Sequence, residues 1–219
     1  MRLEIKITTS DVEIRKRILK ECLAVIKPKI DKIHRVLSIF LPDYITGKIT
    51  DSETWQSLIS GPLRAELGLE NPQALLALVA KHIESEIFVS KPKFSSSMDH
   101  LSEIGLGGIP SDYETLMNSP GASYISVNSQ GNRTPIHWLR YLLTAGKAPI
   151  FRNTVIRRYS SPIKAGRTKM ALMRKSASGV YILPGAGTLN NNFLKKTIKS
   201  LENELIQVIV YAYLREFGQ

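Results

Sequence analysis

The sequence predicts an α+β fold: an N-terminal helical region, then a small antiparallel β-sheet with a projecting β-hairpin arm, packed by a long C-terminal helix. Two observations predict it. Apolar residues recur at helical spacing over the first ninety residues and again over the last 28, whereas the part between carries shorter apolar runs separated by Gly, Pro and Ser. With 219 residues and 43% apolar side chains, the chain is long enough to bury a core.

A long first helix is predicted from Ser10 onward. Ser10 and Glu13 have the spacing of a capping box, in which each side chain satisfies a free backbone N–H at the helix start. Proline breaks helices, so Pro28 is expected to kink or divide this segment and Pro42 to end it. Its apolar residues recur at helical spacing: Ile14, Ile18, Cys22, Val25, Ile30, Ile33, Val36, Leu37 and Phe40.

Two further helices and a linker complete the first half of the chain. Thr50 and Glu53 form a second capping box, and Asn71–Pro72 starts a helix that should run to about Phe88. Residues 90–110 are rich in Ser and Gly and predict a linker or docking loop. The predicted organisation is therefore a helical region over 1–110 and an α+β domain over 111–219.

The second half predicts shorter elements. Residues 122–127 form a strand, and Thr134–Pro135 starts a compact helix that Gly146 ends. Strands are expected at 150–159, 169–175 and 179–183, joined by Ser-Pro and Ser-Gly turns, and a helix at 192–217. The predicted core consists of Trp138, Leu142, Phe151, Leu172, Ile182, Phe193 and Leu205.

The charge distribution is the strongest functional signal. The chain carries a net charge of +11, and no Asp or Glu occurs between Glu114 and Glu202, where fourteen Lys and Arg residues lie. Such a field attracts nucleic acid, an acidic protein surface or anionic lipid. An acid-free domain beside an acid-rich helical half also predicts self-association that weakens with salt.

An arm is predicted within this basic interval, at residues 160–175. Its positive charges alternate with methionine, whose flexible thioether suits irregular protein surfaces. We expect the arm and its flanks to bind a partner through eight residues: Arg152, Arg157, Arg158, Lys164, Arg167, Lys169, Arg174 and Lys175.

Catalytic chemistry is not indicated. The single cysteine, Cys22, forbids an internal disulfide, and the four histidines have no partner at metal-ligand spacing. The strand-rich part lacks the carboxylates that nucleases and glycosidases need. No catalytic, cofactor-binding or metal-binding residue is assigned, and no enzyme activity is expected. The sequence also predicts no membrane span and no signal peptide.

Three segments in order carry a family resemblance: IHWLRYLLTAGK from Ile136, GRTKMALM from Gly166, and VYILPGAGTLNNNFL from Val180. Together they resemble neck or tail-completion proteins of tailed bacteriophages. That family has a W-L-x-x-L-L-x-x-G helix, a G-R-[ST]-x-x-x-x-M arm and a G-T-x-x-N-N-F turn into the last helix. The chain departs from the pattern at Lys147, where the family prefers an acid, and at Leu183, where it prefers proline.

The resemblance covers about residues 120–200 and implies a non-enzymatic ring subunit between portal and tail, assembled in the host cytoplasm and located in the neck of the virion. The implied partners are further copies of the chain, portal or other connector proteins, and tail terminator or tail tube proteins, with transient DNA contact and no membrane. The residues leave one alternative open: a nucleic-acid-binding protein that uses the acid-free segment 133–199, where aromatic and basic residues are interleaved. Of its aromatic residues, Trp138 and Phe151 are expected in the core and Tyr159 on the surface, and the others are Tyr141 and Tyr181.

Overall fold

The computed structural model describes residues 10–94, 102–108, 113–127, 131–146, 151–158, 171–181 and 186–218, with only the backbone for 126–127, 151–158 and 171–181. The fold is α+β, as predicted. Its helices are α1 (Asp11–Thr50), α2 (Glu53–Ile59), α3 (Pro62–Leu67), α4 (Pro72–Glu86), α5 (Glu114–Met117), α6 (Trp138–Thr144) and α7 (Phe193–Phe217).

Eight strands pair into small antiparallel ladders. They are β1 (Phe88–Val89), β2 (Lys93–Phe94), β3 (Ser102–Glu103), β4 (Leu106–Gly107), β5 (Tyr124–Val127), β6 (Arg133–Ile136), β7 (Phe151–Arg158) and β8 (Ala171–Tyr181). The pairs are β1 with β4, β2 with β3, β5 with β6, and β7 with β8. The first two ladders lie within or at the edge of the segment 90–110 that was predicted as a linker.

Helix α1 corrects the sequence prediction at Pro42, because it runs through this residue for a total of 40 residues, and Pro28 does not divide it. One face of the helix carries a buried row on both sides of Pro42, and each buried aliphatic side chain contributes roughly 1.5–3 kcal/mol. That sum exceeds the roughly 3 kcal/mol cost of an interior proline. The row consists of Ile30, Ile33, Leu37, Leu41, Ile45 and Ile49, none more than 2% exposed.

Replacing Pro28 by alanine is expected to raise the free energy of unfolding by about 1–3 kcal/mol. Alanine restores a backbone donor inside α1, although it also gives the unfolded chain more freedom. Urea unfolding followed by circular dichroism measures the change. Pro72→Ala is the matched control and should give no gain, because Pro72 stands at the first position of α4, where proline is tolerated. A Pro28→Ala variant less stable than the native chain would contradict this account of α1.

The helix starts follow the predicted capping residues closely. Ser10 Oγ accepts a hydrogen bond from the Glu13 backbone N–H at 3.3 Å, so this part of the predicted capping box is confirmed. Helix α4 begins at Pro72 after Asn71, also as predicted. Helix α2 is capped two residues later than expected: Ser52, not Thr50, accepts from the Trp55 backbone N–H. Ser111, which has the spacing of a further capping box with Glu114 in the sequence, lies outside the described residues.

The start of α6 is a second correction. Residues 133–136 do not begin the helix but pair as β6 with β5, with Thr134 opposite Ser126 and Pro135 opposite Ile125. A two-stranded ladder has only edge strands, where proline is tolerated. The helix therefore starts at Trp138, and Gly146 follows its end with φ of 56°, the left-handed conformation expected there.

Strand β8 is a third correction, because it is one strand where two were predicted. Thr154 pairs with Lys175, but Arg152 pairs with Val180. Residues 176–179 therefore lie opposite position 153 as an irregularity within one strand. The Ser-Gly pair that was predicted to form a turn lies at this irregularity. Such an irregularity bends the ladder locally, and the two strands remain paired before and after it.

The chain divides into two compact units. The first comprises residues 1–41, 88–107 and 206–219, and the second residues 42–87 and 108–205. The first buries the α1 residues Ile30, Ile33 and Leu37 together with Val89. The predicted division of the chain at residue 110 concerns independent folding and stays a prediction.

The second unit holds the larger core. Its buried side chains include residues of α2 and its connection to α4, of α4 itself, and of α6 and α7: Leu58, Leu69, Val79, Trp138, Leu139, Leu142, Leu143, Phe193 and Leu194. The predicted burial of Trp138, Leu142, Phe193 and Leu205 is confirmed. The side chains of Phe151 and Leu172 and the residue Ile182 lie outside the description.

Candidate partner-binding surfaces

The predicted partner-binding residues lie along the β7–β8 ribbon and its connection. Arg152, Arg157 and Arg158 are in β7, and Arg174 and Lys175 are in β8. Lys164, Arg167 and Lys169, with most of the predicted arm 160–175, lie outside the described residues. An eight-residue strand spans about 26 Å.

The register distributes the basic positions over the whole ribbon. Arg174 lies opposite Val155, Arg157 opposite Leu172, and Lys175 opposite Thr154. Successive positions of a strand alternate between its two faces. Arg157 and Arg158 therefore occupy opposite faces of β7, as do Arg174 and Lys175 of β8. The ribbon has basic positions on both faces, which suits insertion between two acidic surfaces.

Backbone hydrogen bonds join the segments that precede and follow the ribbon in the sequence. The Gly146 N–H donates to the Gly187 carbonyl at 2.8 Å, and the Gly187 N–H donates to the Leu142 carbonyl at 2.7 Å. These bonds join the residue at which the chain leaves α6 to the turn that enters α7. A Cβ at Gly187 would lie 2.4 Å from Asn192 Cβ, so a glycine is required there.

The turn after Gly187 is itself a built cap. The Asn192 side chain, 1% exposed, accepts from the Lys195 N–H at 3.1 Å and donates to the Thr188 carbonyl at 3.0 Å. It thereby satisfies a free N–H in the first turn of α7. The family-like motifs around α6 and before α7 thus form one packed framework, and the basic ribbon lies between these two motifs in the sequence.

A polar cluster on the second unit joins α1 and α7. The Glu204 carboxylate accepts from Lys48 Nζ at 2.8 Å and from the Tyr44 hydroxyl at 2.7 Å. These hydrogen bonds, with that of Lys48 the larger influence, hold the pKa of Glu204 below its usual value. The same carboxylate raises the pKa of Lys48 and of Tyr44.

Glu204→Gln is expected to lower the melting temperature at pH 7 and to leave it unchanged at pH 3. A carboxyl with a lowered pKa in the folded state stabilises the protein above its unfolded pKa of about 4.3, and this contribution is lost as the pH falls. The group is solvent-exposed, so the difference at pH 7 should also shrink in 1 M salt. Thermal unfolding of both proteins at the two pH values measures it. Equal differences at pH 7 and pH 3 would contradict the charge-based account.

The first unit carries a second basic region. Lys27, Arg35 and Lys91 line a groove of about 600 Å³ between α1 and the segment before β2, together with Asp31 and Phe94. Lys27 Nζ lies 5.7 Å from the Phe94 ring centre, a cation–π distance. Sequence analysis did not single out this groove, because its residues come from segments about sixty positions apart.

Exposed apolar side chains on α1 are a further surface that sequence analysis missed. Ile14, Ile18, Val25 and Val36 were grouped with the buried residues of the helix, but they are 36–66% exposed. At 100° per residue they lie roughly 100° around the helix from Ile33 and Leu37. Spacing along the sequence does not distinguish the two rows. Their angular positions around the helix would have separated them.

Neither a metal site nor a membrane span is found in the described part of the chain. Among the residues that the structure describes, no three His, Cys, Asp or Glu side chains are grouped to hold a metal ion. No helix in the same part of the chain is both long and apolar enough to cross a membrane.

In comparisons with known proteins, no protein-family model, curated protein or solved structure matches the chain.

Proposed function

We propose that this protein is a structural subunit of the neck of a tailed bacteriophage, where copies assemble into a ring between the portal and the tail. It acts by binding and not by catalysis. Its partners are other copies of itself, portal or connector proteins, and tail terminator or tail tube proteins. The basic β7–β8 ribbon and the connection between its strands are the proposed partner-binding element.

The hydrogen bonds between the segments that flank the ribbon in the sequence are the observation that carries the proposal. Three separate sequence motifs suggested the family, and two of them come together through the Gly146–Gly187 and Gly187–Leu142 hydrogen bonds. The third lies within the acid-free interval that these bonds enclose. A rigid framework that presents an extended basic element is what an assembly subunit requires, since the interface must be ordered before the partner arrives.

The state of Trp138 favours protein contact over base stacking. A single-strand nucleic-acid binder needs aromatic rings on its surface. Trp138 is 0% exposed, and its indole N–H donates to the Gly121 carbonyl at 2.7 Å. This aromatic residue of segment 133–199 therefore serves packing, which supports a protein partner over stacked bases.

Genetics of the phage that encodes the chain tests the proposal. With a nonsense mutation in the gene, electron microscopy of the lysate should show DNA-filled heads and free tails that do not join, and expression of the intact chain should restore virions. The matched control is a nonsense mutation in the major tail protein, which should remove tails altogether. Intact, infectious virions formed without this chain would overturn the proposal.

A further inference from the structure

Helix α7 exposes a row of apolar side chains at four-residue spacing in the first unit. Ile206, Val210 and Leu214 are 54%, 49% and 64% exposed. Tyr211 beside them is 69% exposed. Large apolar side chains that share one helix face and remain in water mark a contact with another molecule.

Helix α1 exposes a row with the same spacing in the same unit. Ile14 and Ile18 are 36% and 45% exposed, and Cys22, the next position of the row, is half-buried. The last turn of α7 reaches α1 further along, where Glu216 pairs with Lys32 at 2.8 Å. Helix α7 of the same chain therefore ends before it reaches the row of Ile14, Ile18 and Cys22.

We propose that the Ile14–Ile18–Cys22 row of one copy packs antiparallel on the Ile206–Val210–Leu214 row of the next copy. This contact rests on the proposed function in one respect: it names the interface between copies in the proposed ring. It uses residues of the first unit and none of the basic ribbon.

The matching spacing supports the pairing. Side chains four residues apart form one ridge on a helix, and two such ridges interdigitate in the commonest class of helix packing. An antiparallel register brings Ile14 level with Leu214, Ile18 with Val210, and Cys22 with Ile206. Each copy then offers one row to the copy before it and the other to the copy after it.

Helix dipoles favour the antiparallel direction. In that arrangement the N-terminal end of α1, with its partial positive charge, lies beside the C-terminal end of α7, with its partial negative charge. A parallel arrangement would align the two dipoles in the same direction, which is unfavourable.

The exposed apolar area is sufficient for a specific contact of modest strength. Taking about 200 Å² for a fully exposed large side chain, the two rows with Val25 and Tyr211 offer roughly 700 Å². Interfaces are about 57% apolar, so the total buried would be about 1,200 Å², at the lower end of the specific range. Two different surfaces meet in this contact, so each copy can bind one neighbour through each row, and repetition produces a ring or, where the rotation does not close, a filament.

Disulfide trapping tests the register, because Cys22 is the single cysteine of the chain. Full-length Ile206→Cys protein is oxidised at high concentration and low salt and run on a non-reducing gel. A disulfide requires Cα atoms within about 7 Å, so it should form between Cys22 of one copy and the thiol introduced at position 206 of the next. The expected result is a ladder of dimers, trimers and larger species that reducing agent removes.

Two matched variants make the result specific. Leu214→Cys lies eight residues away, about 12 Å along the helix, and should give no ladder. Adding Cys22→Ala to Ile206→Cys should abolish the ladder. A ladder with Leu214→Cys instead would establish the parallel direction and overturn the proposal, as would a ladder that persists without Cys22, or only monomers with Ile206→Cys.

Light scattering on cysteine-independent variants gives a second readout. Ile18→Glu should lower the mass of the native protein at low salt, whereas Val12→Glu should not. Both positions are exposed, at 45% and 61%, but Val12 lies on another side of α1. Equal masses for the two variants would overturn the contact. The neck assignment would survive that failure, because it is judged from the lysates of the nonsense mutants.

Discussion

Trp138→Ala is expected to lower the free energy of unfolding by about 3–5 kcal/mol. The indole is 0% exposed and lies on the same short helix as Leu139, Leu142 and Leu143, which are equally buried. Its removal leaves a large cavity. It also removes the donor to the Gly121 carbonyl, at a residue whose φ of 90° and close approach to the Leu75 carbonyl leave no room for a side chain.

Urea unfolding followed by circular dichroism measures this effect. Trp138→Phe should lose less, because the phenyl ring fills part of the cavity although it cannot donate the hydrogen bond. Leu78→Ala on α4, where Leu78 is 47% exposed, is the surface control and should change stability by about 0.5 kcal/mol or less. A loss below about 1 kcal/mol for Trp138→Ala would show that the indole is not the centre of the second unit.

Reversing three charges of the ribbon is expected to abolish incorporation into virions and to leave folding intact. The variant is Arg157→Glu, Arg174→Glu and Lys175→Glu. The three positions lie in the paired strands, with basic positions on both faces. Like charges brought together at an interface cost several kcal/mol, so the yield of infectious particles in complementation should fall at least 100-fold.

The matched control applies the same change in net charge elsewhere in the acid-free interval, at Arg140, Lys196 and Lys199, all exposed on α6 and α7. It should support assembly. Particle counts and circular dichroism of both proteins are compared. An equal loss in both would show that bulk positive charge, as in DNA binding, and not the ribbon, is what assembly requires.

Local signals predicted several helix ends. Asn71–Pro72, Gly146 and the Asn192 turn each specify a helix end by their own chemistry, and the structure places helix ends there. The periodicity of 192–217 predicted α7 to within one residue. These features depend on neighbours in sequence, so the sequence alone was sufficient.

The corrections come from interactions between distant residues. Pro28 and Pro42 are tolerated because the α1 row is buried by other parts of the chain, which local propensity does not register. Pro135 belongs to a strand because β5 is available to pair with it. The candidate site also depends on distant residues. The basic interval was visible in the sequence, whereas the hydrogen bonds between the segments that flank the ribbon join residues 41–45 positions apart.

The position of the chain in the virion tests the central claim most directly. Phage complemented with a chain carrying an epitope tag would be purified and imaged by electron microscopy with gold-labelled antibody. Gold should appear at the head–tail junction, on heads that have completed their neck and on whole virions. Gold along the tail, on the capsid surface or nowhere on purified particles would contradict the account.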